Sequence, residues 1–181
     1  MRFARPIAVA AALTFTTLML ATAPASAAPA PQEIKDQTLA SANAARAKYG
    51  ARPLTWSDPL YPATDQYAQM CKFAHSAAEG RYGENLYAVI GPSDTKTAIR
   101  QAFASWMAEA SKYDYNKPGF SSATGRFTQL VWKGTTQISL AVSKCPAGML
   151  FPQAGAFVLA RFTPAGNFPG QFPQNVGRPV D

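Results

Sequence analysis

The chain has 181 residues, with 17 Lys and Arg against 10 Asp and Glu and a formal charge of +7. The cations are scattered, with no run of five or more; this suits solubility and loose attraction to acidic surfaces and excludes the basic stripe of a nucleic-acid binder. Two isolated cysteines and one histidine likewise exclude a cysteine-based zinc site, which needs paired thiols.

In chain order, Arg2 and Arg5 precede an apolar stretch from Ile7 to Leu20 and a small-residue site, Ala25-Ser26-Ala27, so residues 1–27 read as a cleaved export signal and not a transmembrane anchor. Taking 27 from 181 leaves 154 residues, one domain's worth, expected to be secreted, extracellular and monomeric. Residues 28–32 form an alanine and proline linker, and the domain occupies residues 33–181.

A first helix is expected over Glu33 to Tyr49, ended by Gly50, and Arg52 to Trp56 is extended because proline restricts its predecessor. A second helix, capped by Ser57 or Asp58, shows Leu60, Ala63, Thr64, Tyr67, Ala68 and Cys71 as one buried stripe. A loop carrying His75 leads into Glu84 to Ala88, a short turn or strand. The third helix, about Thr95 to Ala110, turns Ala98, Ile99, Ala102, Phe103, Trp106 and Ala110 inward.

Three strands follow at Phe127 to Trp132, Gln137 to Val142 and Ala156 to Phe162, and the Gly- and Pro-rich tail from Pro164 reads as a surface loop. Helices early and strands late predict an α+β domain with a mainly antiparallel sheet. In an oxidising exterior, Cys71 and Cys145 are expected to pair as one disulfide, closing a loop of about 75 residues.

Few residues offer chemistry. His75 is the one histidine, so acid–base machinery must be built around it or not at all. Glu84 lies nine residues on, and Glu109 ends the third helix, where an acid opposes the helix dipole and must be held by something else or be merely exposed. Taken singly, His75 also reads as a structural loop residue, and Glu84 and Glu109 as surface acids. Tyr113, Tyr115 and Phe120, in a loop with Pro118 and Gly119, suit core closure and a ligand-facing surface equally.

The run Gly125-Arg126-Phe127-Thr128-Gln129-Leu130-Val131-Trp132 resembles the signature of the CAP superfamily, the cysteine-rich secretory, antigen 5 and pathogenesis-related proteins. His75-Ser76 with Tyr82-Gly83-Glu84-Asn85-Leu86 resembles a second signature, and Phe157 to Phe168 a third. Trp106 with Glu109, Pro118 to Ser122, and Asn43 with Arg46 are similar to further family segments, and Ala160-Arg161-Phe162 resembles the Golgi-associated, plant pathogenesis-related-like branch.

The resemblance implies a three-layer α-β-α sandwich with a central cleft lined by two histidines and two glutamates. His75, Glu84 and Glu109 match three of the four, and Arg126 stands where the family has its second histidine. Arginine stays protonated and offers no lone pair, so the expectation is that the cleft holds no metal or other cofactor, with Arg126 paired to one glutamate and His75 hydrogen-bonded to the other.

The family's sterol-binding loop falls on Tyr113, Tyr115 and Phe120, which implies a non-catalytic binding module for a sterol or other small lipid, in host interaction or defence. The alternatives are a metal-dependent or carboxylate-assisted hydrolase and an extracellular signalling protein. No Gly-x-Ser-x-Gly nucleophile elbow supports a hydrolase.

Overall fold

The structure, a computed structural model, describes Met1 and residues 31–180 except Pro92; apart from Met1, the expected export signal lies outside the described residues. Helix α1 spans Gln32–Ala47 and buries Ile34, Thr38, Ala42, Ala45 and Arg46. The pair Thr55–Trp56 forms β1, and a single 3-10 turn at Asp58–Leu60 leads into α2, Tyr61–Gln69. The face that α2 buries is Tyr61, Thr64 and Ala68, with Cys71 buried just beyond; Ala63 is exposed. The tight turn built around Pro59 precedes the α-helix, which starts at Tyr61, so Leu60 falls outside it and the helical stripe begins at Tyr61.

The segment Gly83–Ile90 is strand β2. Helix α3, Thr95–Ala108, starts at Asp94, whose carboxylate accepts the Thr97 N–H at 2.9 Å. A 3-10 turn, Glu109–Lys112, continues it. Strands β3, Gln137–Cys145, and β4, Gly155–Thr163, complete one sheet in the order β1-β3-β4-β2. Strand β4 pairs antiparallel with both β2 and β3, and β1 runs parallel to β3.

Every residue of β4 from Gly155 to Phe162 is buried, which requires a layer on each face of the sheet. Helix α2 covers β3 and β4, while α1 and α3 pack on each other and on the sheet. The result is the α+β sandwich with a mainly antiparallel sheet. Cys71 and Cys145 are bonded, with Cα atoms 5.7 Å apart, tying the end of α2 to the end of β3.

One element departs from expectation in kind. Phe127 to Trp132 is not a strand: Gly125–Val131 is helix α4. Phe127, Thr128, Gln129, Leu130 and Val131 are all buried, so neither a period of 2 nor one of 3.6 shows in the sequence, and branched and aromatic side chains tip such a run toward a strand reading. Its helical form is settled by a distant residue: the Glu109 carboxylate accepts the N–H groups of Arg126 and Phe127 at 3.0 and 3.1 Å, supplying the cap that Thr124 does not.

The other end of α4 is held by α1. Arg46, fully buried, donates to the carbonyls of Leu130 and Trp132, both at 2.9 Å, of Thr135 at 3.0 Å and of Arg52 at 2.7 Å. Burial draws its pKa down to about 10, which leaves it charged at neutral pH, and the carbonyls at a helix C-terminus are a favourable place for that charge.

The tail is also more than a surface loop. Its short helix α5, Phe172–Asn175, buries Phe172 edge-on against Trp132, and Asn175 receives the Lys133 and Gly134 N–H groups.

Candidate functional site

Two ion pairs form the walls of a cleft at the Gly83 end of β2. Glu84 and Arg161 face each other across β2 and β4 in direct register, and each side chain is almost completely buried. The Arg161 Nε donates to Glu84 Oε2 at 3.2 Å and its terminal nitrogen to Ser76 Oγ at 3.1 Å; the guanidinium lies 4.4 Å from the Tyr82 ring centre and 5.5 Å from that of Tyr67.

Glu84 also fixes the loop before it. Its Oε1 accepts the Ser76 N–H at 2.9 Å and lies 3.0 Å from His75 Nδ1, and its Oε2 accepts the Ser76 hydroxyl at 2.7 Å. A carboxylate only accepts, so Nδ1 carries the imidazole proton and Nε2 is left for the cleft. Burial alone would push the Glu84 carboxyl up, but the donors His75, Ser76 and Arg161 outweigh it and hold the group at about 2.

The second pair joins α3 to α4. Glu109 uses Oε2 for the two N–H groups that open α4, and its Oε1 meets the guanidinium of Arg126, a side chain 43% exposed toward the cleft. Asn85 donates to the Arg126 carbonyl at 2.9 Å, which docks this end of α4 on β2. Asn167, in the left-handed region at φ 63°, accepts from Thr128 Oγ1 at 2.6 Å and donates to the Gly125 carbonyl at 2.9 Å. Gly83 is required for a close approach, since a Cβ there would stand 1.9 Å from Oε1 of buried Gln129.

The cleft between these pairs has a volume of about 500 Å³, and His75, Tyr82, Glu84, Phe120, Arg126 and Asn167 line it. Thus His75, Glu84 and Arg126 line one cleft, with His75 held by Glu84 and Arg126 by Glu109 behind it. A larger groove, about 860 Å³, lies at the opposite end of the sheet between Gly91 and Ala156. Among the described residues its lining holds no ion pair.

As ligands for a divalent ion these residues do not fit. Every carboxylate oxygen of Glu84 and Glu109 is already met by a cation or an N–H or O–H donor, and among the described residues no group of three His, Cys, Asp or Glu converges as a ligand set.

The aromatic loop divides. Tyr113 turns into the fold: it is buried in a second apolar cluster, edge-on to Phe127 at 5.8 Å, where Phe127 also meets Tyr49. Tyr115 leans on Tyr113 at 4.9 Å and lies under Arg178, 5.0 Å from its guanidinium. Phe120, 63% exposed, is the one of the three that reaches the cleft.

Arg161 was not singled out from the sequence as a site residue, although it had a signal: a lone charge inside the apolar run Ala156 to Phe162 has to find a buried partner. Ser76, Tyr82 and Asn167 gave no chemical signal beyond their place in motifs.

Compared with known proteins, residues 39–159 match the model of the cysteine-rich secretory protein (CAP) family. The chain is 31% identical to the human Golgi-associated plant pathogenesis-related protein 1 over 156 residues, covering 81% of this chain and 94% of that protein. It is 35% identical to yeast protein PRY2 over 125 residues, 68% of this chain and 34% of PRY2, so the chain spans only about a third of that relative. It is 32% identical to tobacco pathogenesis-related protein 1A over 148 residues, 78% of this chain and 82% of that protein. The crystal structure of NaASP2 with Zn2+ superposes with a TM-score of 0.65 at 19% identity, over 82% of this chain and 85% of that one, and shares the fold.

Proposed function

Since this chain belongs to the cysteine-rich secretory protein (CAP) family, we propose that it is an exported, non-catalytic binding module for a sterol or other small lipid, with no resident metal. The observation that carries the reading is Phe120: a large apolar side chain held in solvent at the mouth of the cleft, on a loop whose ends are fixed by Tyr113 and by the cap of α4. Burying such a ring against an apolar ligand is worth about 1.5–3 kcal/mol.

In a filter-binding assay with labelled cholesterol, saturable binding is expected, weakened by about tenfold or more in Phe120→Ser, the fold-change of that burial. Absence of saturable binding by the unaltered protein would reject the sterol reading, and unchanged affinity in the variant would move the site off this loop.

The two cleft pairs have a positional role in this reading, holding the loop's far end to the sheet. A hydrolase would need a free nucleophile or an activated water beside His75; the hydroxyl of the next residue, Ser76, is committed to Glu84, Arg161 and Tyr82. The expectation of no metal rests on Arg126. Calorimetric titration with zinc is expected to give no micromolar binding to the native protein, and Arg126→His is expected to gain it by offering a second imidazole facing His75. Micromolar binding by the native protein that disappears in His75→Ala would overturn this.

A further inference from the structure

We infer that the disulfide-bearing end of the sheet docks on a lipid bilayer surface carrying anionic headgroups. Register places the parts together: Cys145 and Ile90 both pair with Gly155, and Cys71 is bonded to Cys145. Met70 and Phe73 flank Cys71, and Met149 lies in the turn between Cys145 and Gly155. Met70, Phe73, Ile90 and Met149 are therefore gathered at one end, and each is more than half exposed.

The cations there complete the surface. Lys72 and Lys144 are exposed, sit next to the two cysteines, and take part in no ion pair among the described residues. Asp94, whose carboxylate caps α3, also lines the groove and keeps its negative charge beside Lys144. The groove of about 860 Å³ opens here with Lys144 among its lining residues.

Exposed apolar side chains gathered at one end of the sheet, with unpaired ammonium groups beside them, suit a fluid apolar phase edged by negative charge better than a rigid partner. Without Arg2 and Arg5 of the export signal, the formal charge falls from +7 to +5, which still adds a general attraction to such a surface. This end is six residues of β2 away from Glu84, roughly 20 Å, so the docking surface is separate from the cleft and from Phe120.

Co-flotation with sterol-free vesicles tests it. The exported chain is expected to float with vesicles of phosphatidylcholine mixed with phosphatidylserine, at low salt, and not with phosphatidylcholine alone. Lys72→Ala and Lys144→Ala should each weaken partitioning by about fivefold, the fold-change of about 1 kcal/mol per lysine at an anionic surface. Met149→Asp should weaken it by about tenfold, through lost insertion and an added negative charge. Phe120→Ser should float like the unaltered protein, which separates this surface from the sterol reading.

Equal flotation with neutral and anionic vesicles, no flotation with either, or flotation indifferent to these three substitutions would overturn the inference. So would light scattering that shows a dimer dissolved by Met149→Asp, which would assign the face to a second copy of the chain.

Discussion

Arg46→Leu is expected to remove about 5 kcal/mol of stability, a large share of what a domain of this size has. The substitution keeps an apolar stem but leaves the buried carbonyls of Leu130 and Thr135 without their donor, takes one of two donors from that of Trp132, whose other is the Thr135 N–H, and releases the part-buried carbonyl of Arg52. Each unmet carbonyl costs about 1–3 kcal/mol, and the costs do not add fully because the segments relax together. Urea denaturation measures the loss directly. Arg46→Lys retains the charge but not the fork of donors, so it should fall between the two; a lysine variant as stable as the native protein would show that charge alone, not geometry, holds the end of α4.

Glu84→Ala should cost about 4 kcal/mol, because it strands the Arg161 guanidinium, 3% exposed, between β2 and β4 with only Ser76 and two aromatic faces for company. The same carboxylate gives the native protein an acid limit. With its folded pKa at about 2 against an ordinary 4.5, the group's contribution is complete above pH 4.5, where both folded and unfolded chains are ionised. Below 4.5 the unfolded chain takes up the proton first, and the contribution shrinks until the folded carboxyl titrates near 2. The total is about 3 kcal/mol.

Denaturation curves across that pH range should show this loss in the native protein and a flatter profile in Glu84→Gln. A profile unchanged by the substitution would remove Glu84 as its source.

Much of this was legible from residue types and spacing. The inner face of α3 follows from 3.6-residue periodicity, β3 and β4 from branched and aromatic runs, and the disulfide from two cysteines in an exported chain. Helix α4 was not legible, because a segment buried on every side loses its periodicity and its cap comes from Glu109, 16 residues before Gly125 at the start of the helix. His75, Glu84, Glu109 and Arg126 could be placed at the site by resemblance, but which acid takes which cation depends on strand register: Arg161 faces Glu84 across the sheet, leaving Arg126 for Glu109. The aromatic loop gave three equivalent rings in sequence, and only packing against Tyr49 and Phe127 distinguishes Tyr113 from Phe120.

The Glu109 carboxylate has a consequence for how this protein can diversify. It belongs to the turn that finishes α3 and also closes the start of α4, so the chain leaves and returns to nearly the same point, and the residues between form a loop with a clasped neck. What happens inside such a loop is mechanically insulated from the sheet. Insertions, deletions or a new set of side chains around Phe120 change the shape offered to a ligand while the clasp keeps both helices in register, so recognition can be rewritten without renegotiating the fold.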